Sequence, residues 1–204
     1  MCRIAAEQIK ASVIDWLINN YSGVIIGNEI MYGTSRKMVD LLAIFDNRTI
    51  AFEIKSSMDT LTRLPEQINE YKKVFDEINV VSATSHLTGI KRIITPSIGL
   101  FSIEQELKEL QKAKENSKTV KLEMLYSISS SYLKKVFPNY RNLNSDLLRQ
   151  KISRENKNTI HNILIDFYKK RLSEKYRLFL SDRGEQTLID DIPTLSSFTT
   201  IDQL

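Results

Sequence analysis

Cysteine occurs once, at Cys2, which excludes an intrachain disulfide and a cysteine-based zinc site and fits a reducing compartment. Histidine occurs twice. His86 and His161 are too few and too far apart in sequence to suggest a histidine metal site, so both read as ordinary polar residues. No stretch approaches the roughly 18 apolar residues of a membrane helix. The first residues also lack a basic segment followed by a long apolar run, so a cytoplasmic protein without a membrane partner is expected. Internal repeats and low-complexity tracts are missing too. What is present is a chain of 204 residues, 42% hydrophobic, enough for one ordinary domain plus a modest extension.

The net charge of +4 conceals a gradient. Met1 to Ile103 holds 11 basic and 11 acidic residues, Glu104 to Leu180 holds 17 and 9, and Ser181 to Leu204 holds 1 and 5. The block nets are therefore 0, +8 and −4. A basic block of this kind suits a polyanion such as nucleic acid, although lysine-rich helices also serve simply as solvated faces. The composition suggests residues 1–103 as a core, 104–180 as a basic helical region and 181–204 as an acidic, loosely held tail.

Apolar residues at helical spacing predict a helix from Arg3 to Asn20. Runs rich in Ile, Val, Leu and Phe predict strands over Val24 to Met31, Met38 to Phe45 and Thr49 to Ser56, the last two joined by a tight turn at Asp46-Asn47-Arg48. A helix is expected over Asp59 to Ile78, with Pro65 in its first turn, then a strand over Asn79 to Ala83, a short helix and a strand over Ile98 to Ile103. Glu104 to Ser117 reads as charged and helical, and helices broken at Pro138-Asn139 follow. The order implies an α/β sandwich with a helical extension.

Glu53 and Lys55 stand two apart on a predicted strand and so share a face. If the turn closes with Asn47 opposite Arg48, Asp40 faces Lys55 and Leu42 faces Glu53, which brings Asp40 to that face; a one-residue slip would turn it away. Glu and Lys two apart are common on solvated strands. Here, however, Ile50, Phe52 and Ile54 alternate with Ala51, Glu53 and Lys55, a pattern of an interior strand where unpaired charge needs a reason. A hard divalent cation, Mg²⁺ or Mn²⁺, held by Asp40, Glu53 and the Ile54 carbonyl would supply one. Such a cation activates water and neutralises a phosphate, with Lys55 orienting the water or stabilising the transition state.

The run Arg36 to Asp40 followed by Glu53-Ile54-Lys55-Ser56-Ser57 resembles the PD-(D/E)-x-K nuclease superfamily, in particular small bacterial members that read R-x-x-x-D followed by E-I-K-S-S. Val39 stands where the motif's name has proline. Asp59, Arg63, Gln67 and Tyr71 are spaced four apart, and Gln67-x-x-x-Tyr71 is similar to the helix motif after the catalytic strand; Pro96 to Leu100 is similar to the closing strand. The resemblance covers about half the chain, from Arg3 to Ile103. It implies a restriction-endonuclease-like core with a mixed central sheet flanked by helices, catalytic roles for Asp40, Glu53 and Lys55, and auxiliary roles for Glu29 (with Glu7 as its rival), Gln67, Arg63 and Tyr71. Arg36, Lys37, Lys72, Lys73, Lys91 and Arg92 are the expected nucleic-acid contacts. The implied activity is Mg²⁺-dependent hydrolysis of DNA in repair, mobile-element or defence biology. The alternative is a non-catalytic nucleic-acid- or protein-binding module that keeps the fold, with a protein partner on the C-terminal helical region and a homodimer as further options.

Overall fold

The computed structural model describes residues 4–196. Its centre is one six-stranded mixed sheet in the order β1-β2-β3-β4-β5-β6, with β1 (Ile25–Tyr32), β2 (Lys37–Phe45), β3 (Arg48–Lys55), β4 (Glu77–Ala83), β5 (Gly99–Ile103) and β6 (Leu107–Gln111). β1, β2 and β3 form an antiparallel meander, β3, β4 and β5 run parallel, and β6 returns antiparallel to β5. Helix α1 (Ala6–Asn20) covers one face through Ile9, Val13, Ile14 and Leu17, packed on Leu41, Ile50, Phe52 and Phe101. The other face carries α2 (Leu64–Tyr71), α3 (Leu87–Ile93) and the helices α4 (Lys121–Ser127), α5 (Ser130–Val136), α6 (Ser145–Ile152) and α7 (Lys157–Asp182). This is the α/β class, a mixed sheet flanked by helices with a C-terminal helical extension. Arg3, the expected first residue of the leading helix, lies outside the described residues.

The hairpin between β2 and β3 closes two residues earlier on β2 than the expected register had it. Asp46 takes a left-handed φ of 52°, and the turn needs only Asp46 and Asn47, so Phe45 pairs with Arg48 and Leu41 with Phe52. The register is offset by two residues from the expected one, aligning Asp40 with Glu53 instead of Lys55. Because strand side chains alternate with period two, that offset leaves every side chain on its expected face.

Three expectations are corrected. The helix expected over Asp59 to Ile78 is only Leu64–Tyr71, because Ser56 donates from both its main chain (2.8 Å) and its hydroxyl (2.6 Å) to Asp59 Oδ2, a local turn that competes with helix. Among the described elements Glu104 to Ser117 contains no helix: Leu107–Gln111 is an edge strand whose exposed Lys108 and Glu109 are tolerated where one side has no neighbour. The core therefore does not end at Ile103.

The acidic tail is held down as far as it is described. Ile192 and Leu195 in the 3₁₀ segment Ile189–Leu195 are buried against α1 and α7, Asp15 of α1 accepts from Arg183 and Thr187, and Ser196 bridges to Asn28 on β1. Residues 197–204 lie outside the described residues. Helix α7, 26 residues long, passes the β1 edge: Leu164, Phe167 and Leu172 join the cluster on the α2 face, while Tyr176 and Phe179 join the α1 face. Among the described residues no helix is long and apolar enough to cross a membrane.

His161, expected to be an ordinary polar residue, pins α7 to the sheet. Its Nε2 lies 2.9 Å from Asp76 Oδ2, which also accepts from the Thr49 main chain and hydroxyl, both at 2.8 Å. The bond to Asp76 raises the imidazole pKa above its usual 6.5, burial opposing. A raised pKa contributes stability that is full below pH 6.5 and fades as pH climbs through the folded-state value. His161→Gln should therefore cost on the order of 1–2 kcal/mol at pH 5.5 and clearly less at pH 8.5. Urea midpoints of both proteins at the two pH values test this, and an equal loss at both would remove the charged pair from the account.

Candidate functional site

β3 runs through the interior, with every residue from Thr49 to Lys55 buried. Its alternation puts Ile50, Phe52 and Ile54 on the α1 face and Ala51, Glu53 and Lys55 on the α2 face. The last pair it makes with β2 is Leu41↔Phe52, whereas its pairing with β4 continues to Lys55↔Ser82. Beyond Phe52, then, an Ile54 N–H is left that β2 does not answer with a carbonyl. The Asp40 carboxylate accepts it instead, at 2.7 Å, which fixes Asp40 beside the Glu53-Ile54-Lys55 step.

Glu53 is 1% exposed and collects three donors: Lys55 Nζ at 2.7 Å and Gln67 Nε2 at 2.5 Å on Oε1, and the Tyr71 hydroxyl on Oε2. Lys55, 5% exposed, also donates to Gln67 Oε1 at 3.0 Å. Gln67 and Tyr71 reach together because they are four apart on α2. Burial, and then the Glu53 and Asp40 charges, push the Tyr71 hydroxyl pKa well up, so Tyr71 stays a proton donor to Glu53. Asp40 is only partly exposed, and its pKa is pushed up to about 7, first by burial and then by the Glu53 charge, against the Ile54 N–H, Lys10 and Lys55. A carboxyl held so high is short of positive charge.

The structure thus gathers Asp40, Glu53, Lys55, Gln67, Tyr71 and the Ile54 main chain. It does not gather Arg63, which is exposed one residue before α2, because the late start of that helix takes Arg63 and Asp59 off the stripe shared by Gln67 and Tyr71. Glu29 aligns with Asp40 in the β1–β2 register, but with a left-handed φ of 53°, and its carboxylate accepts from Lys10 at 3.1 Å. Glu7 is exposed on the first turn of α1. The six expected nucleic-acid contacts are spread over three places, and two are already paired, Lys37 with Glu66 and Lys73 with Glu70. Arg36, Lys91 and Arg92 are exposed, while burial and Lys118 lower the Lys72 pKa.

Two neighbours went unforeseen. Lys10, 5% exposed, links Glu29 to the field around Asp40; its position beside Ile9 on the apolar side of α1 was the available signal. Tyr32 packs edge-on against Tyr71, ring centroids 5.4 Å apart.

Among the described residues no three acidic, histidine or cysteine side chains cluster as metal ligands. A cation would rest on the two carboxylates, the Ile54 carbonyl and water, an all-oxygen set that suits Mg²⁺ or Mn²⁺. The Asp40 carboxyl lacks the positive charge that such an ion brings, and the Lys55 ammonium already stands against Glu53 as a cation. On donor chemistry the residues fit, provided that Lys55 gives up Glu53.

Compared with known proteins, residues 3–196 match the family described as Bacteriophage P4 protein cII. Protein cII of Enterobacteria phage P4 is 28% identical, over 93% of this chain and 77% of that protein. A solved protein of unknown function from Silicibacter pomeroyi aligns over 68% of this chain and 93% of its own with a TM-score of 0.46 and 13% identity, a likeness too slight to build on.

Proposed function

The chain belongs to the bacteriophage P4 protein cII family, and we propose that it acts there as a divalent-cation-dependent nuclease on DNA, of the PD-(D/E)-x-K type. The observation that carries this reading is the meeting of Asp40, Glu53 and Lys55 at the point where β2 and β3 part, with Asp40 locked to Ile54 by the 2.7 Å bond. Asp40, Glu53 and the Ile54 carbonyl would hold the ion. When bound, a divalent cation supplies Lewis-acid activation and neutralises charge on the phosphate. The protein's part is positional. Tyr71, kept protonated, and Gln67 fix the Glu53 carboxylate, while Gln67 gives Lys55 a second partner, so the ammonium can leave Glu53 and remain close enough to orient a water or meet the phosphate.

A second reading has its own support. Glu53 and Lys55 neutralise each other at 2.7 Å with side chains 2% and 6% exposed, an arrangement that a non-catalytic binding module retaining the fold could keep for structure alone. One experiment separates the two. Purified protein should cut single-stranded, duplex or branched DNA with Mg²⁺ or Mn²⁺ and not with chelator, and Glu53→Gln, which keeps the side chain's shape but removes the charge that answers Lys55, should lose about 10³-fold in rate at a temperature where circular dichroism shows both proteins folded. DNA bound equally by both proteins and cut by neither would favour the binding module.

A further inference from the structure

A cavity of about 410 Å³ lies between the β1–β2 turn and helices α4 to α7, lined by Arg36, Arg149 and Arg171 and by the hydroxyls of Ser129, Ser130 and Ser145. Its volume is within the roughly 300–1,000 Å³ of small-ligand sites. The lining contains no carboxylate. Two carboxylates stand beside it without lining it: Asp146 accepts from the Tyr126 hydroxyl at 2.8 Å, and Glu123 accepts from the Thr34 main chain at 2.8 Å. Three guanidiniums line one space, and among the described residues none of them forms an ion pair with a carboxylate, so the space suits an anion.

The arrangement is built, since each arginine is set by a different device. Arg149, 6% exposed, is fixed by donating Nε to Leu125 O (3.0 Å), Nη1 to Ser145 O (3.1 Å) and Nη2 to Ile128 O (2.8 Å), and it lies over the Tyr126 ring at 4.7 Å. These partners, with the Ser145 hydroxyl that also accepts from Nη1, carry no charge, so that of Arg149 is left for something else. Burial pushes its guanidinium pKa down, and Arg36 adds to this, Tyr126 and Asp146 opposing. Arg36 has a left-handed φ of 51°, costly for a residue with a side chain, in a turn pinned to α4 by Gly33 N donating to Ser127 Oγ at 2.9 Å. Arg171 comes from α7 and sits over Phe167.

We propose that this cavity binds a terminal phosphoryl group, that of a nucleotide or of a phosphorylated oligonucleotide end. Guanidinium forks and serine hydroxyls are the donors that phosphate oxygens take. Tyr32 lines the cavity and also packs on Tyr71, which bonds Glu53, so the site stands one aromatic ring from the carboxylate cluster. The choice of a nucleotide over another phosphate ester rests on the nuclease reading. The phosphate site itself does not.

The test is equilibrium binding in chelator, where no cleavage occurs, of one single-stranded oligonucleotide carrying either a 5′-phosphate or a 5′-hydroxyl. The phosphate form should bind about tenfold more tightly. That preference should vanish in Arg36→Ala and Arg171→Ala and survive in Arg177→Ala, which removes the same charge from an exposed position of the same helix. Competition by a nucleoside monophosphate at similar concentration would identify a free nucleotide as the ligand; competition by the phosphorylated strand alone would identify a strand end. Equal affinity for the two oligonucleotides, or a loss in Arg177→Ala as large as in the other two, overturns the proposal. A phosphate preference in a protein that never cuts DNA would retire the nuclease reading and leave this one standing.

Discussion

Lys55→Met should destabilise the protein by about 3–5 kcal/mol, the cost of stranding a carboxylate in the interior. Glu53 and Lys55 meet at 2.7 Å with side chains 2% and 6% exposed, so water cannot replace the lost ammonium. Gln67 and Tyr71 would still donate, but neither carries charge, and the Tyr71 hydroxyl holds its proton strongly. The double variant Glu53→Gln/Lys55→Met should recover most of the loss, since the charge that needed answering is gone. Denaturant unfolding of the two single variants, the double variant and the parent gives the coupling directly. A Lys55→Met cost under about 1 kcal/mol would mean that the pair is not sealed, and the described packing around β3 would need revision.

Asp40→Asn should separate stability from activity, losing about 10³-fold of Mn²⁺-dependent cleavage while unfolding at higher denaturant than the parent at pH 8. The sign follows from the raised carboxyl. Its pKa is pushed from 3.8 up to about 7, so the proton it favours contributes stability below pH 3.8 that is lost as pH rises through 7. The amide does not titrate and can still accept the Ile54 N–H. Between pH 4 and pH 8 the variant should therefore gain on the parent, by on the order of 1–2 kcal/mol, less than the whole shift because Asp40 is partly exposed and screened. Unfolding curves in chelator at both ends of that window suffice. A pH-independent difference would remove the electrostatic argument, and full cleavage by the variant would remove Asp40 from the proposed chemistry.

Much of this arrangement is legible in the chain because it rests on periodicity. The faces of Asp40, Glu53 and Lys55 depend on parity alone, so a hairpin register two residues off still brings them together. Gln67 and Tyr71 are legible for a similar reason, four residues being about one helical turn. Arg63 belongs to the same spacing but not to the helix, since the Ser56–Asp59 turn is a side-chain event that hydrophobic patterning does not register. Leu107–Gln111 was hidden because Leu-Lys-Glu-Leu-Gln has a charged, helix-like composition, and only the exposed edge of β5 makes a strand of it. The covering of β1 by α7 and the serine-lined arginine cavity depend on contacts between residues more than a hundred positions apart, for which no local pattern exists.

The passage of α7 along the β1 edge has a consequence for how the chain is made. β1 is synthesised well before α7, yet its outer side and its bridge at Asn28 wait for residues as late as Ser196. Until then an apolar strand has an open flank, a template for other chains as well as its own. Assembly of the sheet edge is therefore tied to the appearance of α7 and the segment that follows it, and pairings this distant close slowly. A nascent chain paused before residue 157 would depend on a chaperone, or on a crowd dilute enough to leave β1 alone.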